Sequence, residues 1–429
     1  MPESSESKSR KDLLKQIFSK KMFICLCLGF SSGMPLFVVL TLIGAYLRKE
    51  GVNLKEIGLF SLASFPYTWK FLWAPLVDRY NPFKLGRRRG WIILSQISVF
   101  LSIFFVGQFN AQSCTIVIAI ITLILSFSSA TQDIVIDAYR REILEDNELG
   151  LGTSLFIASS RASSLIPAGL SLILADFISW QAVFFITAAF MLPCLLLSVF
   201  LKEPETIVCA KNLHQAIIEP FREFVNRAGL KSMLLIILFV FCYKLGDSMA
   251  TALATPFYID LKYDLLTIGL VAKNCGIWSM IIGGILGGII MLKIGINKAL
   301  WIFGFGQLVT ILGFAFLAHI GAGRETAPSV WYLAIVLIFE YLGAGLGTAA
   351  FVSFISAKTS KAYAATQFAL LTSLSAVPRT FCNATTGYIV EFCGWENFFY
   401  ICTVLAVPGM LLLFKVAPYF EKNEDKNPS

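Results

Sequence analysis

A chain of 429 residues that is 57% hydrophobic and only 14% charged cannot be a string of soluble domains, because such domains carry roughly 25% charged residues. The composition fits an all-α polytopic membrane protein, with no stretch left over for a soluble domain of any size. The formal net charge of +8 follows from where lysine and arginine sit relative to the apolar runs, so a nucleic-acid partner has no support.

In chain order, twelve apolar spans are expected near residues 22–47, 54–78, 91–109, 112–138, 151–176, 180–201, 232–258, 263–293, 297–320, 329–357, 360–390 and 394–418. They suit twelve transmembrane helices, since a hydrocarbon core of ~30 Å is crossed at 1.5 Å per residue. Segment 1–21 is polar and basic, with no small-residue cleavage site after a short apolar core, so the first span is expected to be retained. The second span carries Lys70, Pro66 and Pro75 and closes on Asp78. Arg79, Lys84, Arg87, Arg88 and Arg89 then crowd into one short loop. That much positive charge is not carried across a bilayer cheaply, which places the loop in the cytoplasm. Alternate loops share the excess, whereas the opposite loops hold only Arg48, Lys49, Lys55, Lys262 and Arg324. Both termini are therefore expected in the cytoplasm.

Segment 202–231 is the longest polar stretch between spans and parts two sets of six. The expected organisation is a cytoplasmic N-terminal segment 1–21, a six-helix bundle 22–201, a cytoplasmic linker 202–231, a second six-helix bundle 232–418 and a cytoplasmic tail 419–429. An internal repeat supports the division. Residues Asp176 to Ile186 align with Glu391 to Ile401 at an offset of 215, matching Trp180 to Trp395 and Phe184 to Phe399. Ile57-Gly58-Leu59 aligns with Ile268-Gly269-Leu270 at an offset of 211. Both halves run in the same sense, so the two bundles are pseudo-symmetric by parallel duplication.

Six plus six spans and a basic loop after an Asp-ended second span resemble the major facilitator superfamily. Asp78-Arg79 with Gly86-Arg87-Arg88-Arg89 is similar to that superfamily's loop signature, though longer, and Lys293-Ile294-Gly295 is its degenerate counterpart in the second half. Three stretches together resemble a narrower group, the AmpG-type muropeptide permeases: Gly29 to Leu36, Ile57 to Trp91, and Thr131 to Arg140. The resemblance is strongest over the first half. It implies a major facilitator fold and a proton-coupled symporter of the bacterial inner membrane. Such a symporter would carry anhydro-muropeptides from periplasm to cytoplasm by alternating access, for peptidoglycan recycling.

Nine ionisable residues fall inside spans: Lys70, Asp133, Asp137, Arg161, Lys244, Asp247, Lys273, Glu340 and Arg379. Each costs roughly 2.5–3.5 kcal/mol at a helix centre on insertion scales, so they are expected to face one another or a wet cavity. Lys244 and Asp247 are three apart and share a helix face, either as a permanent pair or as groups freed by cargo. Asp133, Asp137 and Arg141, at four-residue spacing, are expected to form a ladder. The two aspartates are candidates for proton binding, and the alternative is that both bind Arg87, Arg88 or Arg89 and latch the cytoplasmic gate. Glu340, beside Gly343, Ala344 and Gly347, is the rival proton site. Thr372, Ser375, Arg379, Asn383 and Thr386 form one polar stripe, expected to line a cavity with Arg379 gripping a carboxylate.

The expected cargo site is Tyr67, Lys70, Lys244, Asp247, Lys273, Arg379 and Asn383, with Asp133, Asp137 and Glu340 for protons. Asp78, Arg87 and Arg88 are expected to form the cytoplasmic gate. No catalytic set emerges: the two histidines, His214 and His319, are far apart in topology, and no Gly-rich phosphate loop is present. The chain is thus expected to be a monomeric transporter and not an enzyme, with no metal and no cofactor, and with the proton gradient as its energy source. Alternatives are a carrier of another bulky anion, such as an acyl-coenzyme A or a peptide, or a sensor that binds muropeptides without moving them.

Overall fold

The computed structural model of the chain describes residues 17–52, 60, 63, 65–82, 86–204, 213–264, 267–322, 324 and 326–419. Within its helices the side chains of 213–217, 255, 269, 273, 377–381, 383 and 384 lie outside that description. The described secondary structure is helical throughout. The chain forms two compact units, 1–223 with 355–373, and 224–354 with 374–429.

In the first unit, α1 (Lys20–Lys49) starts where the Ser19 hydroxyl accepts the Met22 amide at 3.4 Å and passes through a π-turn at Val38–Leu42. Next, α2 is broken into Phe65–Trp69, Lys70–Leu72 and Ala74–Arg79. Pro75 explains the break, because its ring removes one ladder hydrogen bond and clashes with the carbonyl a turn earlier. α3 (Arg87–Val106), α4 (Thr115–Ile143), α5 (Leu149–Leu174) and α6 (Trp180–Val199) complete the six. α5 changes pitch around Pro167, through Ser163–Leu165 and Ile166–Leu170. Within the polar linker lies a further helix, α7 (Leu213–Ala228).

α8 (Leu230–Ala252), α9 (Ala254–Asp260), α10 (Asn274–Gly321), α11 (Val330–Lys358) and α12 (Ala364–Val416) follow. A straight helix of 48 residues, the length of α10, would span about 72 Å, more than twice a bilayer core. Gly295 (φ 78°) and Gly394 (φ 77°) divide α10 and α12 into two arms each. At these turns the backbone enters the left-handed region that glycine tolerates. Among the described residues, nine helices are long and apolar enough to cross a membrane; α10 counts there once despite its turn, and the broken α2 is not among them.

Small residues set the closest approaches. A Cβ on Gly29 would overlap the Phe156 carbonyl, and one on Gly33 the Ser160 carbonyl, so this Gly-xxx-Gly pair lets α1 lie directly on α5. In the second unit Gly283 abuts the Leu342 carbonyl of α11 in the same way. Each unit also holds an aromatic triangle. Tyr46, Trp180 and Phe184 pack with centroids 5.0, 5.3 and 6.1 Å apart. Phe257, Trp395 and Phe399 pack with 5.0, 4.8 and 6.1 Å. The positions correspond at offsets of 211 and 215, the offsets of the sequence repeat.

Candidate functional site

Both intramembrane aspartates of the first unit lie on α4, whereas Lys70 lies on α2 and Arg161 on α5. Gln132 and Asp133 face two successive serines of α1: Gln132 Nε2 donates to Ser31 Oγ at 2.7 Å, and Ser32 Oγ donates to Asp133 Oδ1 at 2.5 Å. Gln96 of α3 completes this buried polar seam by donating to Ser31 at 2.9 Å. One turn along, Asp137 pairs with Arg140 at 3.0 Å and with Lys70 of α2 at 3.9 Å. The Arg140 guanidinium is almost fully buried, with Phe156 at 4.4 Å and Phe368 at 5.6 Å from the ring centroids. Stacking on aromatic faces is a low-cost way to hold a desolvated guanidinium. Tyr67 stands beside Ser129 and Asp133 with its hydroxyl buried.

Two expectations change here. The partner of Asp137 is Arg140, three residues away, and not Arg141 as in the expected ladder. Arg141 points elsewhere and donates to Asp146 at 2.9 Å and to the Thr359 carbonyl at 3.2 Å. Nor do the loop arginines reach Asp137. Arg87 and Arg88 both donate to Glu142, at 3.1 and 2.6 Å, because that carboxylate lies at the end of α4 level with the start of α3.

The three residues expected at the gate do meet. Arg88 Nη2 donates to Asp78 Oδ1 at 2.8 Å, and Arg87 Nη1 to the Asp78 carbonyl at 3.1 Å. The other Asp78 oxygen accepts from the Thr366 amide at 2.9 Å and from the Thr366 hydroxyl at 2.7 Å, at the first turn of α12. A carboxylate suits such a position, since unpaired amides and the helix dipole both favour negative charge. Glu203 plays the same part at α3, accepting the Arg88 and Arg89 amides at 2.8 and 2.9 Å. The segment after α11 is further tied to α7: Tyr363 donates to Glu219 at 2.8 Å, and Gln367 to Glu223 at 2.7 Å and the Pro220 carbonyl at 2.8 Å. Burial, followed by the Glu219 carboxylate, pushes the Tyr363 phenol up to about 12, so it remains a donor at neutral pH.

The second unit has its own charged cluster. Lys244 and Asp247 pair at 2.8 Å where α8 breaks around Lys244, and Lys244 also donates to Gln307 of α10 at 3.3 Å. Glu340 of α11 is fully buried, and neither carboxyl oxygen has a hydrogen-bond partner among the described residues. Thr310, which donates to the Gln307 carbonyl at 2.9 Å, stands next to it. The side chains of Lys273, Arg379 and Asn383 lie outside the described residues. From the expected stripe, Thr386 is buried and Thr372 donates to its own helix at the Phe368 carbonyl, 2.9 Å away.

The Major Facilitator Superfamily model matches residues 25–382. The anhydromuropeptide permease of Escherichia coli K12 is 37% identical over 91% of this chain and 78% of that protein. This chain belongs to the AmpG-type permeases of the major facilitator superfamily. A putative transporter AmpG 4 of Rickettsia felis is 31% identical over 94% of the chain and 98% of its own length. An uncharacterized protein of Haemophilus influenzae is 45% identical over 96% and 98%. Among solved structures, the proton:xylose symporter XylE is 11% identical and superposes with a TM-score of 0.67, covering 95% of this chain and 96% of that one. At that identity the likeness speaks to the fold alone.

As an AmpG-type permease, the chain is a multi-pass inner-membrane transporter and not an enzyme. The motif stretches that carry the resemblance also contain residues absent from the expected site. Ser31, Ser32 and Arg140 lie inside two of them, and only their spacing against α4 reveals what they touch. Glu142, Glu203, Thr366 and Gln307 carry no local signal in the sequence, because their partners come from 54 to 288 residues away.

Proposed function

We propose that the protein imports anhydro-muropeptides from periplasm to cytoplasm by proton symport, through alternating access, with both termini cytoplasmic. The cargo assignment rests on the Escherichia coli permease, whose name states its substrate, and on the excess of basic over acidic groups inside the spans, which suits a cargo bearing carboxylates. Lys70 in the first unit and Lys244 in the second are the described cations placed to receive it, with Tyr67 and Asp247 beside them. Lys273, Arg379 and Asn383 complete the proposed cargo set.

One observation carries the coupling: Asp133 lies half-buried in the span with the Ser32 hydroxyl as its hydrogen-bond donor and no cation within ion-pair distance among the described residues. Its neighbour Asp137 is occupied by Arg140 and Lys70. A group that must gain and lose a proton in each cycle cannot be permanently neutralised, so Asp133 is assigned the proton and Asp137 the role of holding Lys70 and Arg140 in place. Glu340 is the second candidate for the proton. The network of Asp78, Arg87 and Arg88 with Thr366 acts as the cytoplasmic gate, closed when these bonds are made.

Uptake of labelled anhydro-muropeptide into proteoliposomes, with and without an inward proton gradient, tests the reading. Accumulation that collapses on adding a protonophore is expected. Gradient-independent equilibration would remove the coupling, and no uptake by folded protein would remove the cargo.

A further inference from the structure

At the end of the first unit that carries the arginine loop, a cavity of about 660 Å3 opens between the start of α1, the ends of α4 and α6, and the turn after α11. That volume lies within the ~300–1,000 Å3 common for ligand sites. One wall is apolar, formed by Ile24, Ile143, Leu197 and Phe200, and four lysines stand around it: Lys20, Lys21, Lys202 and Lys361. Glu142 and Glu203 also face the cavity, but Arg87 and Arg88 engage the first, and the Arg88 and Arg89 amides engage the second. Lys21 is taken by Glu148 at 2.7 Å and Glu145 at 3.5 Å. Lys20, Lys202 and Lys361 make no ion pair among the described residues.

We propose that this cavity binds an anionic phospholipid, with its phosphate on the lysines and its acyl chains along Ile24, Leu197 and Phe200. The lysines stand where the apolar wall ends, which is the layout of the boundary between headgroups and acyl chains. Basic pockets of this kind between transmembrane helices are suited to anionic head groups. A free phosphate would have no use for the apolar wall, and a neutral lipid none for three lysines that are unpaired among the described residues. Leu196 near the end of α6 and Phe200 just beyond it are well exposed, so the wall continues onto the lipid-facing side and an occupant can enter from the bilayer. Lys361 belongs to the segment 355–373, while Lys20 and Lys202 belong to the stretch 1–223 of the same unit. A lipid bridging them adds to the bonds that Asp78 and Arg141 make to that segment. The inference depends on neither the cargo nor the coupling proposed above.

The test uses the purified full-length chain in a maltoside detergent, titrated with phosphatidylglycerol or phosphatidylcholine. Native mass spectrometry reads the lipid retained, and hydrogen exchange reads the amides of 359–367. Phosphatidylglycerol is expected to be retained about tenfold better, and to slow exchange in that segment severalfold. The double variant Lys202→Gln with Lys361→Gln should lose that preference while melting as wild type in lipid-free detergent. Leu197→Trp, which fills the apolar wall and keeps every lysine, should also lose it. Equal retention of phosphatidylcholine, or unchanged phosphatidylglycerol binding in both variants, would overturn the proposal. Slowing of the same amides by inorganic phosphate alone would overturn it too, in favour of a free-anion site.

Discussion

Two aspartates one helical turn apart on α4 differ because different groups surround them, from α4 itself and from its neighbours. Asp133 meets a serine hydroxyl, and Asp137 meets two cations, one of them sealed between phenylalanine rings. Removing one partner of a buried pair costs more than the pair contributes, since the other charge is left desolvated. Asp137→Asn is therefore expected to destabilise the protein by roughly 3–5 kcal/mol, read as a lower melting temperature in detergent. Asp133→Asn keeps an acceptor oxygen for Ser32 and should melt close to wild type while losing gradient-driven accumulation. Equal melting of both variants would contradict this division. The four-residue spacing of these aspartates was legible in the sequence, as was the cost of burying them. The choice of Arg140 over Arg141 was not, because it depends on where Phe156 and Phe368 lie around the helix.

Among the elements, α2 and the start of α12 are the parts whose form depends most on others. Pro66 and Pro75 are visible in the sequence, but the span 54–78 was expected as one helix and its break shows only in the structure; the basic loop after it, and the expectation of a gate there, could be read from residues alone. That Asp78 would cap the first turn of α12 could not, since 288 residues separate the partners. Thr366→Val removes the hydroxyl bond to Asp78 and leaves the amide bond. A loss of about 1 kcal/mol is expected, seen as several-fold faster hydrogen exchange in 364–367; unchanged exchange there would show that the hydroxyl contributes nothing. The Gly-xxx-Gly face of α1 gives a sharper test, because a side chain at Gly29 meets backbone of α5, which cannot swing aside. Gly29→Val should lower the melting temperature markedly, whereas the same change at Gly306, with open space around it, should have little effect. α7 was hidden because its residues read as a polar linker, and its helix is held partly by Tyr363 and Gln367, far away in sequence.

For the whole molecule, the duplication seen in the sequence returns as two aromatic triangles, one in each unit, at the same pair of offsets. Two positions per unit were visible in the aligned turns, Trp180 with Phe184 and Trp395 with Phe399. The third members, Tyr46 and Phe257, lay outside the aligned stretches and differ in type. Phe184 and Phe399 are both almost fully buried. Truncating either to alanine should cost on the order of 3 kcal/mol, with similar falls in melting temperature; a large fall for one and none for the other would mean the triangles do not serve equivalent roles. On the proposed mechanism, cargo and protons move together. Proteoliposomes holding a trapped pH-sensitive dye, with no imposed pH gradient, test it directly when anhydro-muropeptide is added outside. Internal acidification that follows cargo entry and is absent in Asp133→Asn is expected. Cargo entry with no change in internal pH would contradict it.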